Sequence, residues 1–147
     1  MKKLLYLKDH QLKKYIEKIF NGYRETVADA KKVLEKHELG TAHNKVIHLL
    51  SLYEGITIST LLRKLKVTKQ SLNRVLNDLV EINAIEFKRD DVDTRVKHVY
   101  LTENGIKLFD EIFSSQKKRL YKAFLNSNSN EVVSFDNVLK KIINEKF

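Results

Sequence analysis

The apolar residues of this chain change their spacing twice. Up to Ile82 they recur at helical intervals, from Ile85 to Leu101 they alternate, and from Leu108 onward the helical interval returns. A period of 3.6 buries one stripe of a helix and a period of 2 buries one face of a strand, so neither segment can adopt the other's structure. The expectation is a mainly α chain with one small β-hairpin set inside it.

Leu12, Tyr15, Ile16, Ile19, Phe20, Tyr23, Val27, Ala30 and Leu34 predict a first long helix, with Gly40 as its C-terminal cap and Thr41 as the N-cap of the next. Val46, Leu49, Leu50 and Tyr53 predict a second helix over 42–53. Gly55-Ile56-Thr57 is a short extended link, and Thr57 or Ser59 can cap a brief helix carrying Ile58, Leu61, Leu62 and Leu65. Lys66-Val67 is a tight turn, after which Thr68 caps a helix over 68–82. Two helices joined by so short a turn form a helix-turn-helix. Ile85, Phe87 and Arg89 then alternate with Glu86 and Lys88, and Val99 and Leu101 with His98 and Tyr100, across a polar turn at Asp90–Arg95. A hairpin on a helix-turn-helix is a winged helix. Thr102 caps a further helix running to about 125, Asn126–Asn130 is a polar break, and Val132, Phe135, Leu139, Ile142 and Ile143 describe a last helix.

The helix after Thr68 has two unlike faces. Leu72, Val75, Leu76 and Leu79 lie on one, Gln70, Asn73, Arg74 and Asn77 on the other. Gln, Asn and Arg can each bond two atoms of a base edge, and a helix fits the major groove. Between Glu54 and Asp78 the chain has no acid, while Arg63, Lys64, Lys66, Lys69 and Arg74 surround the polar stripe. Thr68, Ser71 and the first amides of this helix form an anion site beside Lys69, and Thr57 and Ser59 are further phosphate-contact candidates. Asp93, two residues before Arg95, can hold that guanidinium in a bidentate pair. Arg89 and Lys97 on the adjoining strands are assigned to phosphates. The whole chain carries 28 basic and 19 acidic residues, a net +9 that favours a polyanionic partner.

Composition removes other classes. There is no Cys, so thiol catalysis and disulfides are excluded. His43 and His48 on one helix stand roughly 140° apart, which does not make a metal pair. There is no Gly-rich phosphate loop and no nucleophile with a supporting base, so neither an enzyme nor a cofactor is expected. The apolar run at Leu4–Leu7 stops after four residues, no stretch approaches the roughly 20 apolar residues of a membrane span, and a cytoplasmic location without membrane contact is expected.

The stretch 57–105 resembles the MarR family of winged-helix transcription regulators. The family's wing carries Arg, then Asp, two residues, Asp, one residue, Arg, and then a strand ending in Leu-Thr-x-x-Gly. Here Arg89-Asp90, Asp93, Arg95 and Leu101-Thr102-Glu103-Asn104-Gly105 occur at that spacing. The chain departs from the family at Leu62, commonly Ala, and at Lys66 and Asn83, commonly Gly. The resemblance implies a homodimer held by helices from both termini, 1–40 and 103–147, around a DNA-binding lobe at 41–102 with a two- to three-stranded β-wing. It implies a repressor that reads double-stranded DNA, with Arg95 entering the minor groove. Two lobes would set their helices about 34 Å apart on a pseudo-palindromic operator. It also implies a small anionic or phenolic effector between helices and lobe, for which Tyr23, His43 and Tyr53 are candidates. The alternative is a protein-interaction or RNA-binding module on the same fold, without duplex specificity.

Overall fold

The computed structural model describes residues 4–143. A single 3₁₀ turn, Leu5–Leu7, leads into α1 (Asp9–Lys36), followed by α2 (Thr41–Leu52), β1 (Ile56–Thr57), α3 (Ile58–Leu65), α4 (Lys69–Glu81), β2 (Ile85–Arg89), β3 (Lys97–Leu101), α5 (Glu103–Leu125) and α6 (Ser129–Ile143). The expected terminal segments 1–40 and 103–147 reach into residues 1–3 and 144–147, which lie outside the description. The three strands form one antiparallel sheet in the order β1-β3-β2. Its register sets Ile56 against Val99, Thr57 against His98, and Arg89 against Lys97. This is the winged helix-turn-helix expected from the change of period.

The caps explain where the lobe's helices begin. Thr57, Thr68 and Thr102 each accept a bond from an amide three residues on: Thr60 at 3.1 Å, Ser71 at 3.1 Å and Gly105 at 3.0 Å. Each fills one of the orphan donors of its helix, worth about 1 kcal/mol. Of the two cap candidates for α3, Thr57 takes the position. The ends are equally specific. Asn83 takes a left-handed φ of 58°, and the amides of Asn83 and Ala84 bond Val80 and Leu79, which closes α4 in a Schellman motif. Lys66 closes α3 at φ 53°.

The helix α1 stops at Lys36, but its cap differs from expectation: Glu38, not Gly40, takes the left-handed turn at φ 57°. Leu39 donates its amide to Leu34 at 2.8 Å and both side chains are buried. Burying that leucine pair outweighs the local preference for glycine. Gly40 is then the N-cap of α2, and Thr41 is its first residue rather than its cap.

Ile47, Leu61, Leu72, Leu79, Val99 and Ile112 are fully buried and join α2, α3, α4, the sheet and α5 in one core. Each contributes about 1.5–3 kcal/mol by burial. Gly105 is part of this joint: a Cβ there would stand 1.9 Å from the carbonyl oxygen of Ala84. The last residue of the Leu-Thr-x-x-Gly motif is therefore the point where α5 leaves the lobe in backbone contact.

The terminal helices are built otherwise. Of the nine apolar positions that predicted α1, only Ala30 and Leu34 are buried. Ile16 is 50% exposed, Phe20 68% and Tyr23 55%; Tyr121 and Leu125 of α5 and Phe135, Val138, Ile142 and Ile143 of α6 are likewise exposed. No helix among the described residues is long and apolar enough to cross a membrane.

Candidate nucleic-acid interface

The interface is assembled from α3, α4 and the hairpin. Leu72, Val75, Leu76 and Leu79 are buried beneath α4, which fixes its rotation. Thr68, Lys69, Gln70, Ser71, Asn73, Arg74 and Asn77 are exposed on the remaining surface. No element of the described chain covers that face. At its start, Thr68 accepts the Ser71 amide and donates its hydroxyl proton to Ser71 Oγ at 2.9 Å. The amides of Lys69 and Gln70 stand at the positive end of the helix dipole, where a phosphate is stabilised.

Beside it, Thr57 Oγ1 donates to Thr60 Oγ1 at 3.0 Å while capping α3, and Arg63 reaches the same Thr60 oxygen at 3.3 Å. Ser59 is exposed on the first turn. Lys64 stands over the Tyr53 ring, 4.4 Å from its centre. Tyr53 thus steadies one cation of the basic run by its ring face.

The wing is held by carboxylates. Asp93 Oδ1 accepts the amide and Nε of Arg95 at 3.1 and 3.0 Å, and Oδ2 accepts Nη2 at 3.1 Å. The guanidinium is gripped on one edge and remains 89% exposed, and its side-chain bond to Asp93 is the main cause that holds the Asp93 carboxyl below its ordinary range. Asp90 does a second job that sequence spacing did not reveal. Its Oδ2 accepts the amides of Val92 and Asp93, and its Oδ1 faces His98 Nε2 at 2.8 Å. Those contacts, the Asp93 amide first, lower its pKa to about 2. Arg89 and Lys97, cross-strand partners at the wing's base, are exposed, and Lys97 lies over the Phe87 ring.

The DNA-contact candidates thus lie on adjoining elements of one lobe. The three effector candidates do not gather in one chain. His43 accepts the Gly40 amide at Nδ1, 3.0 Å, so its Nε2–H donates to Asp78 at 2.8 Å, tying the start of α2 to α4. Tyr53 lies just past the other end of α2, roughly 15 Å along the helix axis. Tyr23 stands on α1, with Lys45 over its ring. Among the described residues no group of His, Asp or Glu is arranged to hold a metal ion.

Comparison with known proteins agrees with this geometry. Residues 42–96 match the model of the MarR family. The HTH-type transcriptional regulator PetP of Rhodobacter capsulatus is 39% identical over 140 residues, covering 95% of this chain and 84% of its own. A MarR-family regulator from Silicibacter pomeroyi shares the fold with a TM-score of 0.76 at 23% identity, covering 99% of this chain and 97% of the other. A mutant MarR from E. coli, complexed with operator DNA, does so with a TM-score of 0.65 at 22% identity over 95% of this chain and 99% of its own. The chain belongs to the MarR family of transcriptional regulators.

Proposed function

We propose that the protein is a homodimeric repressor that reads a pseudo-palindromic operator, with α4 in the major groove and the wing in the minor groove. The observation that carries this is the exposed Arg95, aimed by its bidentate bond to Asp93, beside an α4 face bearing Gln70, Asn73 and Arg74. Arg to guanine, or Asn and Gln to adenine, each discriminates by about 1–3 kcal/mol. An arginine whose direction is already fixed enters a narrow A·T minor groove with less ordering left to do. Thr57, Ser59, Thr68, Lys69, Ser71, Arg89 and Lys97 act as phosphate contacts around these readers. Their number makes affinity fall steeply with salt.

The dimer follows from the terminal helices. Ile16, Phe20 and Tyr23 on α1 and Val138, Ile142 and Ile143 on α6 stay about half exposed or more among the described residues, and a second copy offers the same faces in return. The wild-type fold supplies two lobes only in that assembly. A small anionic or phenolic effector would act by binding the free and DNA-bound dimers unequally; of its candidate contacts, Tyr23 continues the apolar stripe that a second copy would cover.

Selection from random duplexes tests the reading. A recovered palindrome with half-sites one turn apart is the expected result, and Arg95→Ala should bind it more than about tenfold more weakly with the dimer intact. No enrichment from duplex, with capture of RNA or protein instead, would replace this function by the interaction-module alternative.

A further inference from the structure

His98 occupies the middle strand of the sheet, opposite Thr57 on β1 and Lys88 on β2. Its Nδ1 lies 2.7 Å from the carbonyl oxygen of Gly55, and its Nε2 lies 2.8 Å from Asp90 Oδ1. A main-chain carbonyl can only accept. Asp90 can only accept as well, because two amides already bond its other oxygen and hold it ionised. An imidazole flanked by two acceptors must donate from both nitrogens, and only the imidazolium does so. The same contacts, the Gly55 carbonyl first and the Asp90 carboxylate next, hold the His98 pKa above its ordinary value against the effect of burial.

The charges that face this ring favour the cation. Asp90 and Asp91 approach from the wing loop. Lys88 comes from β2, but its ammonium lies over the Tyr100 ring and near Glu86. Gly55, just before β1, and Thr57 on it carry no charge, and Lys97 on β3 lies over Phe87.

Bonds lead outward from the ring in two directions. Through Asp90 they reach the amide of Asp93, whose carboxylate grips Arg95. On the other side, Gly55 stands two residues before Thr57 in the chain, and Thr57 caps α3. We propose that His98 is a positioning residue for operator binding: its doubly donating ring sets the wing and Arg95 relative to the helix-turn-helix, giving affinity a proton-dependent component. This rests on the operator reading above.

The sign follows from the raised pKa. The full set of bonds is present below the ordinary histidine value of about 6.5 and is lost as pH rises through the higher value of the folded protein. DNA phosphates near the wing act in the same sense. Operator affinity is therefore greatest at mildly acid pH and falls on the alkaline side.

The test uses the full chain and its selected operator, with binding followed by fluorescence anisotropy at fixed ionic strength. Between about pH 6 and about pH 9 the wild type should lose roughly three- to tenfold in affinity. His98→Gln keeps one donor and cannot titrate, so it should bind more weakly at the acid end and give a flat profile, with dimer and melting temperature retained. In the DNA-free wild type, nitrogen-15 spectra should find both His98 ring nitrogens protonated at neutral pH. Should His98→Gln fail to fold, Asp90→Asn removes the carboxylate charge that faces the ring and leaves one acceptor oxygen in place of two, and the ring spectrum still reads the charge. Parallel profiles for wild type and variant, or a neutral His98 ring at neutral pH, would overturn the role of His98 and leave the operator reading standing. A wild type that selects no duplex at any pH would overturn both.

Discussion

The lobe between Thr41 and Leu101 and the helices on either side of it obey the same apolar period but end in opposite states. In the lobe the stripe of every helix meets another element, and Leu61, Leu72 and Leu79 are sealed. On α1 and α6, and on α5 beyond Phe113, most of the stripe stays open. Beside the buried Ala30, Leu34, Leu108 and Ile112, polar contacts join α1 to α5: Arg119 grips Asp29 by both Nε and Nη2, Gln116 bonds the Thr26 carbonyl at 2.9 Å, and Lys36 pairs with Glu111 at 3.1 Å. Exposed ion pairs of this kind contribute about 0–1 kcal/mol each. They link the helices without covering the exposed apolar residues Ile16, Phe20 and Tyr23. Amphipathy alone therefore says that a helix has a buried side, but it does not say in which molecule the cover lies.

The largest effect should come from placing a charge on the open stripe. Phe20→Glu forces a carboxylate into the surface where the second copy would sit, which costs about 4 kcal/mol, close to a thousandfold in the dimer constant. Sedimentation should then find monomer at concentrations where the wild type is dimeric, while the amide spectrum of the lobe is unchanged. A wild type that sediments as a monomer, or a lobe that unfolds with the variant, breaks the contrast. Gly105→Ala tests the other side of it. Its Cβ would overlap the Ala84 carbonyl, an atom held by the amide and hydroxyl network of Thr102 and Asn83, so the joint must distort at a cost of about 3 kcal/mol. Urea unfolding should find that loss, with the dimer constant of the folded fraction kept.

The difference between the regions also explains what the sequence made legible. The caps Thr68 and Thr102 and the Asp93–Arg95 grip depend on residues within a few positions of one another, and each was readable from spacing, which for α3 left Thr57 and Ser59 both open. So was the change of period that forms the wing. The cap of α1 was not, because Leu39 is drawn to Leu34 and the core, and that burial moves the turn to Glu38. His43, an effector candidate by resemblance, also partners a glycine N-cap and Asp78, 35 residues away in the chain, and spacing showed neither bond. The bond of His98 to Gly55 needs the strand order β1-β3-β2, which local alternation does not contain.

The smallest effect separates two demands on one residue inside the lobe. Lys66 closes α3 at φ 53° and ψ 44°, where an L side chain costs about 1–2 kcal/mol. Glycine relieves that strain but has more freedom to lose on folding, so Lys66→Gly should gain about 0.5–1 kcal/mol in urea unfolding. Asn83→Gly should gain less, since Asn accepts the left-handed region more readily. Lys66→Gly also deletes a cation from the turn between α3 and α4, so operator affinity should fall and its salt slope should shrink by about one. A variant that is both more stable and a weaker binder would identify the strain as the consequence of keeping a charge beside the duplex. A loss of stability instead would mean that the lysine stem packs on the turn more than the backbone resists it. Greater stability with unchanged salt dependence would remove Lys66 from the interface and leave its strain without a function.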